Sequence, residues 1–166
     1  SFTIVKTPNG DFRGCIEDGI KIFRGINYAN CERFQKAEPM STWYGEYDAT
    51  QRGTVCPQRS ERMASEIGDE FGSIMGENEL HLSIYSPEKA YKCPVMVWIH
   101  GGSYLKGGSE ERRYSGRRLV KTGNLIVVKI SYRLGALGYL WWNKGEKNLG
   151  LEDQKLALEW IYNNIS

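Results

Sequence analysis

Two uninterrupted apolar runs do most to limit what this chain can fold into. They are Pro94-Val95-Met96-Val97-Trp98-Ile99-His100, closed by Gly101-Gly102, and Leu125-Ile126-Val127-Val128-Lys129-Ile130-Ser131-Tyr132. Neither approaches the length of a bilayer span. Runs of this length suit strands covered on both faces, as in a parallel or mixed sheet with helices on either side. Between them Gly116–Thr122 is predicted helical, stopped by Gly123-Asn124. Leu149–Ile165 places Leu149, Leu156, Ala157, Leu158, Trp160, Ile161 and Ile165 among strong helix formers, which predicts an amphipathic helix.

Upstream, Leu80–Ser86 alternates apolar and polar residues and stops at Pro87. The first thirty residues read as a small antiparallel meander. Thr3–Thr7, Phe12–Glu17 and Ile20–Tyr28 are separated by the turn signals Pro8-Asn9-Gly10-Asp11 and Asp18-Gly19. Residues 30–76 are the least regular, with a polar tract from Arg59 to Gly76 expected to form a surface loop. Meander followed by strand–helix–strand–helix gives an α/β fold class with a mixed sheet. The run Leu125–Ile130 is expected to need a covering neighbour on its far edge.

Charge and composition remove several function classes. With 22 Lys+Arg against 20 Asp+Glu, a net charge of +2 points to neither a nucleic-acid nor a membrane partner. Arg112, Arg113, Arg117, Arg118 and Lys121 cluster, but Glu110 and Glu111 beside them favour a solvated helix face. Only His81 and His100 are present, and Cys15, Cys31, Cys56 and Cys93 form no Cys-x-x-Cys, so no metal site is expected. Taken alone, the four cysteines fit either two bridges or buried free thiols. Gly102–Ser109 nearly spells a phosphate loop, but Gly108 stands where the lysine is required. No Gly-x-Ser-x-Gly nucleophile elbow occurs, and no acid/base pair stands out.

One segment has clear chemical content. A buried strand delivers the chain to Gly101-Gly102-Ser103, where backbone N–H groups unshielded by side chains can hold an oxyanion. The alternative is a tight turn after a core strand.

A set of motifs resolves that choice by resemblance. Phe23-Arg24-Gly25-Ile26-Asn27-Tyr28-Ala29, Glu32-Arg33-Phe34, Trp43-Tyr44-Gly45 with Asp48-Ala49-Thr50, Cys56-Pro57-Gln58, Pro94–Gly102, Val127–Gly138 and Asn148–Gln154 run nearly end to end. In that order they resemble the N-terminal portion of a type-B carboxylesterase, in the cholinesterase-like and para-nitrobenzyl-esterase-like branch of the α/β-hydrolases. The resemblance implies one portion, 1–166, of a single carboxylesterase domain whose nucleophile elbow and triad lie beyond residue 166. It implies oxyanion donors from Gly102 and Ser103, with Gly101 shaping the turn, and a substrate pocket flanked by Tyr104 and Leu105. It also implies two structural ion pairs, Arg133 with Asp153 and Arg33 with Glu77, each linking segments distant in sequence.

The expected activity is hydrolysis of a small ester through a serine acyl-enzyme, without cofactor. The expected partner is the C-terminal remainder of the esterase, as a second chain or a removed segment, and this chain alone is expected to be inactive. The alternatives are a non-catalytic scaffold or adhesion member of the same branch, and an inactive fragment. The family commonly bridges the cysteine at Cys56 to one in a stretch that here reads Gly76-Glu77-Asn78-Glu79-Leu80, with Glu79 in the partner's place. Free thiols follow. The start Ser1–Lys6 also lacks the pattern of a signal peptide, so the expected compartment is a reducing, bacterial cytoplasm. Loop 57–76 holds no Trp, so choline esters are not the expected substrate. Asn164-Ile165-Ser166 matches a glycosylation sequon and is expected to be unused.

Overall fold

The computed structural model describes residues 1–59, 75–110, 114–142 and 144–165. The polar tract 60–74, Arg112 and Arg113 of the basic cluster, and Ser166 of the sequon lie outside them. The choline reading of loop 57–76 falls largely outside as well.

The meander forms as expected. Strands β1 (Phe2–Thr7), β2 (Gly10–Glu17) and β3 (Ile20–Asn30) pair antiparallel in succession. Asp18 and Gly19 both take positive φ, 52° and 75°, the conformation that a two-residue hairpin needs to match strand twist. Two short strands, β4 (Glu38–Pro39) and β5 (Glu46–Asp48), attach to β3 and β2 respectively. The sheet continues through β6 (Glu79–Pro87), β7 (Val95–Ile99) and β8 (Ile126–Ile130), in the spatial order β1-β2-β3-β6-β8-β7. Among the described strands, β7 pairs parallel with β8 and β5 with β2 while the others pair antiparallel, so the sheet is mixed. The helices among the described residues are α1 (Arg117–Gly123), α2 (Gly135–Tyr139) and α3 (Leu149–Asn164).

Each face of the sheet has its own apolar layer. On one, Phe12, Phe23, Ile26, Leu82, Ile84, Val128 and Ile130 pack against Ala157, Trp160 and Ile161 of α3. On the other, Ile20, Ile22, Tyr85 and Val127 pack against Val120 of α1. The alternation in β6 therefore separates two covered faces, and not a wet one from a dry one. His81 and Ser83 are buried along with Leu82, and the Ser83 hydroxyl donates to the Glu110 carboxylate.

Three expectations need correction. The run at 94–100 does form a strand, but β7 is the sheet edge, with Val95 37%, Trp98 38% and Ile99 42% exposed. Leu125–Ile130 does not want for a neighbour: β8 sits inside, between β6 and β7, and the open edge belongs to β7. On α3, Leu158 faces solvent while Gly150 and Asp153 are buried, because the helix turns its small and paired residues toward Arg133 and Tyr139. Helix α2 carries no sequence signal, and its five residues are shaped by the close approach of Gly138 to the Arg133 carbonyl.

Candidate functional site

Strand β7 hands the chain to His100, which is buried and clamped. The Tyr132 hydroxyl donates to the His100 carbonyl at 2.7 Å, and the two rings stack with centroids 4.5 Å apart. The loop that follows doubles back on itself. The Gly102 carbonyl accepts from the N–H groups of Leu105, at 3.0 Å, and Lys106, at 3.2 Å. Gly102 has φ +132°, and a Cβ there would lie 1.9 Å from the Lys106 carbonyl oxygen, so no other residue fits. Ser103 and Tyr104 follow in the left-handed region, at φ 54° and 61°, which costs about 1–3 kcal/mol for each non-glycine residue so held. Two anchors hold the loop in that conformation. Gly135 N–H donates to the Tyr104 carbonyl at 2.6 Å, and Gly107, φ +109°, lies so close to His100 that a Cβ would be 2.4 Å from Nδ1.

The consequence is chemical. Among the described residues none accepts a hydrogen bond from the N–H of Gly101, Gly102 or Ser103, and Gly101 and Ser103 are exposed. Fixed N–H groups without an acceptor, at the end of a strand, are able to bind an oxyanion with no reorganisation. Beside them Tyr104 and Leu105 stand 61% and 66% exposed, with the Tyr104 ring 4.8 Å from that of Tyr139.

Arg133 and Asp153 are brought together deep in the molecule. Arg133 Nε and Nη2 reach the two carboxylate oxygens at 2.8 and 2.7 Å, and Arg133 N–H adds a third bond at 3.0 Å. Nη1 donates to the Gln35 carbonyl at 2.6 Å, and Asp153 is fully buried. Arg33 and Glu77 also meet in a two-bond pair, with Nε to Oε2 at 2.8 Å, but at the surface. Water and salt screen this exposed pair, so it holds the fold less firmly than the buried one.

The remaining reactive side chains are passive. All four cysteines are free thiols. Burial pushes the Cys31 and Cys56 thiols up to about 11, so neither is a thiolate nucleophile at neutral pH. Cys56 Sγ instead accepts from Leu134 N–H at 3.1 Å. His81 lies near the Thr54 hydroxyl and Glu79, 3.3 and 3.4 Å from its two ring nitrogens, which on paper is a nucleophile–base–acid row. Its Nδ1 lone pair already accepts from Thr54 N–H at 3.2 Å, which leaves no base for the hydroxyl proton. Among the described residues no group of His, Cys, Asp and Glu could hold a metal ion.

The residue that sequence reasoning left without a role is Gln58. It lies in the Cys-Pro-Gln motif, yet nothing in a linear motif says that it reaches Gly107, which the structure shows it does.

A profile described as the carboxylesterase family matches residues 1–166. The para-nitrobenzyl esterase of Bacillus subtilis (strain 168) is 37% identical over 172 residues, covering 98% of this chain and 35% of its own length. The phenmedipham hydrolase of Pseudarthrobacter oxydans is 37% identical over 169 residues, covering 98% of this chain and 34% of its own. A solved PNB esterase superposes with a TM-score of 0.91 at 37% identity, over 100% of this chain and 36% of that one. The chain thus spans about a third of the length of the relatives it matches.

Proposed function

The chain belongs to the carboxylesterase family, its sheet being the N-terminal part of the α/β-hydrolase fold, and on that premise we propose that it supplies the oxyanion-binding third of a serine esterase acting on a small carboxylic ester. The observation that carries this reading is the row of N–H groups at Gly101, Gly102 and Ser103, left without acceptors by a loop held in a strained conformation. In the reaction a serine Oγ adds to the ester carbonyl while a histidine takes its proton. The carbonyl oxygen becomes an anion and settles on the N–H groups of Gly102 and Ser103. The same histidine protonates the departing alcohol, and water repeats the sequence on the acyl-enzyme to release the acid. Tyr104 and Leu105 flank the acyl or alcohol side.

The serine, its histidine and its acid come from the other two-thirds of the fold, as a further segment or a companion chain. Among the described residues no strand pairs with the outer edge of β7, and that edge, with exposed Val95, Trp98 and Ile99, supports the partnership because it invites another strand. The test is to measure native mass and p-nitrophenyl acetate hydrolysis of the chain with and without its companion portion. Activity is expected only from the assembly, and Gly102→Ala is expected to lower kcat by about 10²–10³. A stable, monodisperse 18.9 kDa monomer would overturn the partnership. An assembly that forms without an elbow serine would favour the scaffold alternative.

The four unbridged cysteines support a reducing compartment, the cytoplasm. Thiol titration of the denatured protein is expected to return four equivalents, and fewer would argue for secretion.

A further inference from the structure

From the geometry we infer that Gln58 is the positioning residue of the oxyanion loop, closing it at Gly107 through an amide-to-peptide clamp. Gly107 N–H donates to Gln58 Oε1 at 2.7 Å, and Gln58 Nε2 donates back to the Gly107 carbonyl at 2.9 Å. The two bonds form a closed ring of the kind that two adjacent strands exchange. The polarity of the peptide at Gly107 fixes which way the side-chain amide faces. A third bond, Nε2 to the Cys56 carbonyl at 3.1 Å, stops the side chain from rotating away. The segment it grows from is itself tied down, because Cys56 Sγ accepts from the N–H of Leu134, the residue that precedes α2.

The position of the clamp gives it a function. The loop 100–107 is held at its start by Tyr132 on the His100 carbonyl and at its middle by Gly135 on the Tyr104 carbonyl. Its end, Gly107, touches the His100 ring that opens it, so a shift at Gly107 passes directly to the residue preceding Gly101. Ser103 and Tyr104 occupy sparsely populated backbone regions that persist only where the surroundings over-determine them. Gln58 supplies that constraint at the loop's far end without standing among the open N–H groups themselves. Leucine at 58 keeps the bulk and loses all three bonds. Glutamate keeps the shape and the acceptor for Gly107 N–H but loses both donated bonds.

The inference rests on the oxyanion reading above, and the experiment separates the two. In the assembled protein, Gln58→Leu and Gln58→Glu are compared with the unaltered protein by amide hydrogen exchange over 100–108 and by steady-state hydrolysis of p-nitrophenyl acetate. Both variants are expected to exchange about tenfold faster across that segment, with the amides of β8 unchanged. Both are expected to lose about ten- to a hundredfold in kcat with KM held, since the donors are misplaced only for the transition state. Gln58→Asn, one methylene short of the clamp, is not expected to rescue. Unchanged exchange over 100–108, or a fall in thermal midpoint with kcat intact, overturns the positioning role. An assembly that hydrolyses no ester even unaltered defeats the oxyanion reading, while the exchange result still decides whether Gln58 holds the loop.

Discussion

His81 shows how a residue's surroundings convert chemistry into stability. It is buried on β6, accepts from Thr54 N–H, and lies against Gly53 so closely that a Cβ there would be 2.4 Å from the ring. Burial disfavours the imidazolium, which holds His81 below its ordinary value near 6.5 despite the nearby Glu79 carboxylate. The unfolded chain therefore binds this proton at a higher pH than the native one, and stability rises with pH wherever the unfolded state is the better proton acceptor. The contribution is present above about 6.5 and is lost as pH falls from there toward the lowered native value. Denaturant midpoints are expected to drop across that window, and His81→Gln, which cannot charge, is expected to flatten the drop. An unaltered slope in the variant would assign it to other groups. The alternating pattern of Leu80–Ser86 puts His81 on a strand, but its contacts with Gly53 and Thr54 come from a segment that no strand pattern points to.

At the scale of elements, Arg133, in the connection between β8 and α2, reaches the buried face of α3. Its guanidinium makes a two-oxygen bond to Asp153 and a further bond to the Gln35 carbonyl, so one side chain ties a helix and the segment at Gln35 to the connection that carries it. Replacing it by alanine leaves the Asp153 charge buried without its cation, which costs about 3–5 kcal/mol. Arg133→Ala is expected to shift the unfolding free energy by that amount, measured by denaturant titration, with little dependence on added salt. An unchanged midpoint would show that the pair is dispensable. The pairing was legible only through the family resemblance, which places Arg133 and Asp153 at matching positions; periodicity alone names neither partner. The contrast between this pair and Arg33–Glu77 was not, since sequence spacing carries no information on solvent exposure. Strand β7 makes the same point: its apolar run was read correctly as a strand, but its place at the edge depends on the order in which strands meet.

For the whole molecule, local chemistry set the parts and long-range pairing set their arrangement. By itself the sequence determined the meander, the two apolar strands, the flanking helices and the glycine loop after His100. These follow from side-chain periodicity and from turns that only particular residues can make, both of which are local. The family motifs likewise located the residues of the loop. Only the tertiary structure decided that β8 lies inside β7, that both faces of β6 are covered, and that Gln58 rather than a loop residue closes the loop at Gly107. Each of those depends on contacts between residues far apart in the chain. Their energies come from burial and hydrogen bonding between surfaces that no single segment contains.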